Sequence, residues 1–374
     1  MAPIIASPDA FAQSTEYAEV LNRLTHTIPE LRQAGYVVQS LSYLDLERKK
    51  RCDNCNTRCT RDTTQPLSKA NSIPSPGTKY SDRQLQPQPR KDSEKEKTPA
   101  EETLRCKFHP GKYVKKKWTC CGNPGSAKPC GGATEHKARI YGPRELEGRW
   151  QFHQTPGLST QPERCAAVAI DCEMGTAFDG ESELIRLSMV DYFSGAILID
   201  KLVFPSVKIQ HYNTRWSGVT ALQMDKAYRR GQCIMGMGAA RREVLEFVGP
   251  GTIVVGHGAQ NDFSSLRWIH HRVIDSYLIE NAIAKKEAQA EADELAAKLA
   301  TATGPESSTS AESIKAPPAQ QKAGMSLKAL IKRRCGRDIQ TKGKNGHDSL
   351  EDAVAARDLV HFHVMALLED AVTM

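Results

Sequence analysis

Four acidic residues and one histidine stand where their spacing could do chemistry. The apolar run Ala166–Ile170 leads directly into Asp171-Cys172-Glu173. Side chains alternate along a strand, so residues 171 and 173 share a face and form a candidate pair of metal ligands. Taken alone, an Asp-x-Glu triplet means little and reads first as an exposed strand end, since one arises by chance about once in a chain of this size. Asp262 follows the run Val254–Asn261, where an ordinary acid would cap a helix. His347 lies five residues before Asp352 at the opening of a C-terminal amphipathic stretch, so one can sit in the preceding loop while the other projects from the first turns. The plain reading of that cluster is capping, with acids at the positive end of a helix.

A second set of chemistry-bearing residues is made of thiols and imidazoles. Cys52-x2-Cys55 has the spacing at which two thiolates reach one zinc ion, and Cys106-x2-His109 repeats it. Cys120, Cys121, Cys130 and His136 follow, and eight ligands are what two tetrahedral ions require, leaving Cys59 spare. We expect one zinc on Cys106, His109, one of Cys120/Cys121 and His136, and another on Cys52, Cys55, the remaining thiol and Cys130.

Strand texture runs over Cys165–Ile170, Leu184–Val190, Ala196–Val203 and Thr252–Val255, and helical texture over Arg241–Val248, Asp262–His270 and Met325–Arg334, with a last helix from near Asp348. Short helices are expected around Glu16–Leu24 and Leu41–Leu46, with nothing catalytic in residues 1–48. Residues 60–103 are rich in Ser, Pro, Gln and Lys and read as disordered. Residues 281–324 hold 13 Ala and read as an insertion, first a solvated helix and then loose chain.

Charge is unevenly placed along the 374 residues. The net +7 is the outcome of 21 Lys+Arg against 11 Asp+Glu in residues 51–150, with a slight acidic excess on either side. Seven of eleven cysteines share that basic stretch. A confined basic excess suits a polyanion such as nucleic acid. Aliphatic runs of about five residues are far short of the roughly 20 a membrane span needs. Asp9 interrupts what would be a signal h-region, so the chain is expected in nucleus or cytoplasm, not secreted, with reduced cysteines available for metal.

The succession Asp-x-Glu, Gly-His followed by Asp, then His-x4-Asp resembles the DEDDh 3′–5′ exonucleases. The segments Ala169–Met174, Glu183–Ser188, Tyr212–Thr220, Val255–His257, Asp275-Ser276, Ser326–Lys328 with Asp338–Gln340, and Gly346–Ala353 resemble the Rex-type RNA exonucleases within that family. The resemblance covers most of residues 165–280 and 325–368. It implies a ribonuclease H-like α/β fold, a mixed sheet flanked by helices and preceded by a small zinc-stabilised module. The exonuclease domain would span 165–370 and the module 49–150. It also implies that Asp171, Glu173, Asp262 and Asp352 hold two Mg²⁺ or Mn²⁺ ions, that His347 is the general base, and that single-stranded RNA 3′ ends are trimmed to nucleoside 5′-monophosphates. Ser217, Gly218 and Thr220 would lie near the site, His257 would be structural, and Asp275 is either a supporting acid or a strand-end carboxylate. The Cys/His stretch is similar to the zinc part of these exonucleases and to half of a CHORD-type domain, in which two metals share a Cys-Cys junction. Its lysines Lys112, Lys115, Lys116, Lys117 and Lys128 fit an RNA grip, and the CHORD likeness fits a protein partner instead. A DNA-directed exonuclease and a non-catalytic scaffold are the rival functions.

Overall fold

The computed structural model describes residues 14–59, 104–157, 165–302, 324–341, 343 and 346–373. Its chain divides into two compact units, Met1–Leu41 with Trp150–Met374, and Ser42–Arg149. The segments 60–103 and 303–323, expected to be loose, lie outside the described residues. Among the described residues no helix is long and apolar enough to cross a membrane.

Two helices open the first unit: α1 (Thr15–Arg23), capped by Ser14, and α2 (Ile28–Gln33), started by a Thr27/Glu30 capping box with Pro29 in its first turn. The second unit follows, with α3 (Tyr43–Glu47), the antiparallel pair β1 (Cys106–Phe108) and β4 (Gly131–Ala133), the hairpin β2 (Tyr113–Val114) and β3 (Lys117–Trp118), and α4 (Glu145–Arg149). Lys115 and Lys116 turn that hairpin at φ 47° and 65°, the left-handed pair that a two-residue loop requires.

From β5 (His153–Gln154) the chain rejoins the first unit. There β6 (Ala167–Ala177), β7 (Ser182–Asp191) and β8 (Ile197–Phe204) form an antiparallel meander. The short β9 (Ile209–His211) pairs with the end of β6. Helices α5 (Thr214–Ser217) and α6 (Ala221–Arg229) lead to β10 (Ile234–Met235), then α7 (Met237–Phe247), β11 (Ile253–Gly256), α8 (Gln260–Ser265), β12 (Trp268–Ile269) and β13 (Val273–Asp275). The chain closes with α9 (Ser276–Ala302), α10 (Leu327–Cys335) and α11 (Ser349–Thr373). The sheet order is β10-β8-β7-β6-β11-β13, with β11 parallel to β6 and β13. This is the mixed sheet flanked by helices that the sequence implied.

Alternation along β6 explains the layers. Val168 and Ile170 face a core shared with α7, α8, Leu31 and Tyr36. Ala167 and Ala169 face the opposite core, where α1 and α11 pack through Val20, Leu21, Ala356, Val360 and Val364. Both faces are buried, which is why the strand reads as an apolar run rather than an alternating one.

Three expectations change. Residues 14–41 are not a segment apart: Tyr17, Val20, Leu21 and Leu31 are core residues of the first unit. The helix expected over 262–270 ends at Ser265, because Arg267 turns at φ 49° and Trp268–Ile269 pairs with His153–Gln154. The Ala-rich segment continues a helix begun at Ser276, whose start packs Tyr277, Ile279 and Ala284 into the cores.

Candidate functional site

Asp171 and Glu173 stand in the middle of β6, on the face covered by α11 and just beyond the stretch paired with β11, and a register shift between Glu173 and Met174 follows them. Bulges of this kind re-aim side chains. Asp352 sits in the first turn of α11, and His347 in the loop before it. Asp262 belongs to α8 on the other side of the sheet, and its Oδ1 accepts a hydrogen bond from Cys172 N at 3.1 Å. His347 Nδ1 lies 3.3 Å from Asp352 Oδ2. If Nδ1 carries the proton into that contact, Nε2 is left as the acceptor. All five residues expected at the site are thus gathered around the middle of β6.

Their charges are badly placed for one another without a cation. Burial pushes Asp171 well above the usual carboxylate range, and repulsion from Asp262, Asp352 and Glu173 adds to it. Burial likewise raises Asp262 and Asp352, against the Cys172 N–H at the first and Gln340 at the second. Glu173 is pushed from 4.5 up to about 8 by burial and Asp352, with Arg186 opposing. An oxygen-only set of repelling acids is the donor set that hard divalent cations need, so these residues fit Mg²⁺ or Mn²⁺. A consequence follows for pH. Glu173 keeps in the folded state, between about 4.5 and 8, a proton that the unfolded chain has lost. Folding stability without Mg²⁺ or Mn²⁺ therefore falls as pH rises through that window. Thermal melts at pH 5 to 8.5 should show Tm dropping with pH, and added Mn²⁺ should raise Tm more at pH 8 than at pH 6. A flat profile would contradict the raised carboxylates.

Several supporting residues were not singled out from sequence. Gln340 Nε2 donates to both carboxylate oxygens of Asp352, at 3.0 and 3.2 Å, while its backbone N–H donates to Glu351. Arg186, paired opposite Glu173 on β7, bridges Asp200 and Asp348 at 2.9 Å each, and Ser188 Oγ lies 2.7 Å from Ser349 Oγ. These contacts tie the start of α11 to the sheet. Both residues lie inside recognisable segments, and that placement was their only signal. Tyr36 had none: its hydroxyl donates to Asp275 Oδ2 at 2.6 Å, and its ring meets Phe263, next to Asp262, at 5.3 Å.

Asp275 also accepts from Gly258 N at 2.7 Å, Ala259 N at 3.3 Å and Tyr277 N at 3.0 Å. Its oxygens are taken up in holding the loop that starts α8, which makes it a strand-end organiser rather than a site acid. His257 Nδ1 is 2.9 Å from Ser276 Oγ, a structural contact as expected. Ser217 Oγ donates to Tyr212 O at 2.7 Å, and Thr220 caps α6.

In the second unit the eight expected ligands form two groups, Cys52, Cys55, Cys106 and His136, and His109, Cys120, Cys121 and Cys130. Within each group all candidate donor atoms lie within 4.8 Å of one another. The partition differs from the one expected: Cys106 and His109 part company, and the Cys120-Cys121 junction serves one group instead of bridging two. The reason is geometric. Cys106 lies on a strand, where residues three apart point to opposite sides. Pairing of Cys106 with Ala133 then brings His136 to its group. The Sγ atoms of Cys52 and Cys106 are 3.6 Å apart and those of Cys120 and Cys130 3.4 Å. Tetrahedral thiolates about 2.3 Å from zinc would be roughly 3.8 Å apart, so the groups suit that ion with little movement. Backbone N–H groups of Cys55 and Asn54 overcome burial to bring the Cys52 thiol down to about 6, while burial and the adjacent thiols push Cys106 up to about 12. Cys59 belongs to neither group.

No protein-family model matches the chain. It is similar to RNA exonuclease 3 of Candida albicans, 28% identical over 267 residues, covering 71% of this chain and 55% of that protein. It is also similar to the human apoptosis-enhancing nuclease, 32% identical over 248 residues, covering 63% of this chain and 64% of that protein. The chain thus spans between about half and two thirds of these relatives' lengths. Among solved structures, the Pan2 pseudoubiquitin hydrolase-RNA exonuclease module of Saccharomyces cerevisiae with AAGGAA RNA aligns at a TM-score of 0.39 and 20% identity, over 57% of this chain and 31% of that one.

Proposed function

We propose that the chain is a 3′–5′ exoribonuclease that hydrolyses terminal phosphodiesters of RNA and releases nucleoside 5′-monophosphates. The observation that carries this reading is the gathering of Asp171, Glu173, Asp262 and Asp352 around the middle of β6 with His347 against Asp352. The similarity to proteins named as nucleases supports the reaction class, and the name RNA exonuclease 3 supports the polymer. Asp171, Glu173, Asp262 and Asp352 would hold two Mg²⁺ or Mn²⁺ ions. When bound, such ions supply the positive charge that a phosphodiester transition state needs. His347 accepts the proton of the attacking water at Nε2, a role that typically contributes 10²–10⁴-fold. Asp352 holds the imidazole through Nδ1, and Gln340 keeps the Asp352 carboxylate from turning away. In the second unit, two zinc ions would hold the module, one per Cys/His group, with the lysine hairpin of β2 and β3 contacting RNA phosphates.

The test is full-length protein with Mg²⁺ on 5′-labelled RNA and on single-stranded DNA of the same sequence. A ladder shortening from the 3′ end on RNA is expected. Cleavage of DNA alone would replace the substrate, internal cuts would replace the polarity, and no cleavage of either would leave a binding scaffold.

A further inference from the structure

The turn carrying α5 joins the two halves of the carboxylate site. Asn213, at φ 52°, donates through Nδ2 to Met174 O at 3.2 Å, one residue beyond Glu173. On its other side, His347 N donates to Trp216 O at 2.6 Å. Gly346, at φ 80°, approaches so closely that a Cβ there would stand 2.2 Å from Gly218 N. Thr214 Oγ1 to Val219 O and Ser217 Oγ to Tyr212 O, both 2.7 Å, close the turn internally. Every one of these contacts uses backbone or a small polar side chain.

The indole of Trp216 takes no part in that bonding. Trp216 is 62% exposed, and the Arg215 guanidinium lies 5.2 Å from its ring centroid. A lone exposed apolar residue needs no explanation in general. Here the exposed ring is the largest side chain the protein has, and it is fixed at the rim of the site by a turn that does not need it. A flat ring with a cation beside it suits a π-face carrying nearby negative charge, which is the chemistry of a nucleotide in a single strand. We propose that Trp216, assisted by Arg215, is a stacking platform for a nucleobase near the 3′ end of the bound strand; this rests on the function proposed above.

Direct binding separates this proposal from that function. Affinity of full-length protein for 5′-fluorescein single-stranded RNA is measured by anisotropy without added Mg²⁺ or Mn²⁺, so that hydrolysis does not enter. Two RNAs are compared, one intact and one with abasic ribose at its last two positions. Loss of one stacked base is expected to weaken binding of intact RNA by Trp216→Ala roughly 5- to 100-fold. Trp216→Phe should recover most of the loss. On the abasic RNA, Trp216→Ala and the unaltered protein should bind alike. Equal affinity of Trp216→Ala for intact RNA would overturn the platform, as would a penalty that persists on the abasic strand. Loss of the thermal transition in Trp216→Ala would overturn the premise that the ring is dispensable for the turn.

Discussion

Asp171→Asn is expected to lower RNA hydrolysis at least about 10³-fold while raising the thermal stability of protein free of Mg²⁺ and Mn²⁺. The first effect follows from the role proposed for the carboxylate. Several kcal/mol of transition-state charge stabilisation would depend on cations held by these carboxylates, and each 1.36 kcal/mol is tenfold in rate. The second follows from what the carboxylate does when no cation is there. Asp171 faces three other acids from within the protein, and burial together with their repulsion disfavours its charge. An amide of the same shape removes that repulsion. At pH 8, where Glu173 is also losing its proton, the gain should be largest, roughly 2–4 °C for each kcal/mol relieved in a unit of this size. Added Mn²⁺ should stabilise the unaltered protein and leave the variant nearly unmoved. Hydrolysis at the unaltered rate would remove Asp171 from the reaction, and a lowered Tm would mean that its carboxylate serves as a structural acceptor. Lost activity with gained stability is the signature of a group kept for function at the expense of the fold.

Cys106→Ser is expected to halve the zinc content of the chain, from two ions to one, and to unfold the part of the second unit built on the Cys52 group. Cys106 is fully buried, in contact with Cys52, and part of the small cluster formed with Cys59 and Phe108. That cluster is too small to hold the unit alone, whereas a structural zinc contributes on the order of 10 kcal/mol. Cys59→Ser removes a thiol from the same cluster and none from either ligand group, so its zinc content should stay at two. Elemental analysis gives the count, and limited proteolysis reports the unfolding. The expected partition is specific: Cys120→Ser and Cys121→Ser should each cost the same ion, the one held with His109 and Cys130, and spare the other. Retention of two zinc ions by Cys106→Ser would return that residue to a packing role, and loss of both ions by Cys121→Ser would restore the bridging junction.

Legibility differed between the two units for a physical reason. In the first, each acid proposed as a ligand lies at a recognisable local feature: an apolar strand run leading into Asp171 and Glu173, a strand-loop-helix corner before Asp262, a helix start at Asp352. Their order along the chain matched the succession found in the DEDDh exonucleases, and that resemblance implied the gathering. In the second unit the ligand types and their number were equally plain, but spacing alone misassigned them. Cys106-x2-His109 has the look of a metal knuckle, yet strand pairing with Gly131–Ala133 sends the two residues to different groups of candidate donors.

What this sequence determined by itself was the inventory: four carboxylates and a histidine in one set, six cysteines and two histidines in another, and the alternation of β6 that puts Asp171 and Glu173 on one face. Only the tertiary structure decided the partnerships: which thiols share a group, Gln340 on Asp352, Arg186 on Asp348, and Tyr36 on Asp275 across 239 positions of chain. Residue type and local period carry chemistry and direction. Contacts between distant segments depend on how whole elements pack, and no short stretch of chain contains that.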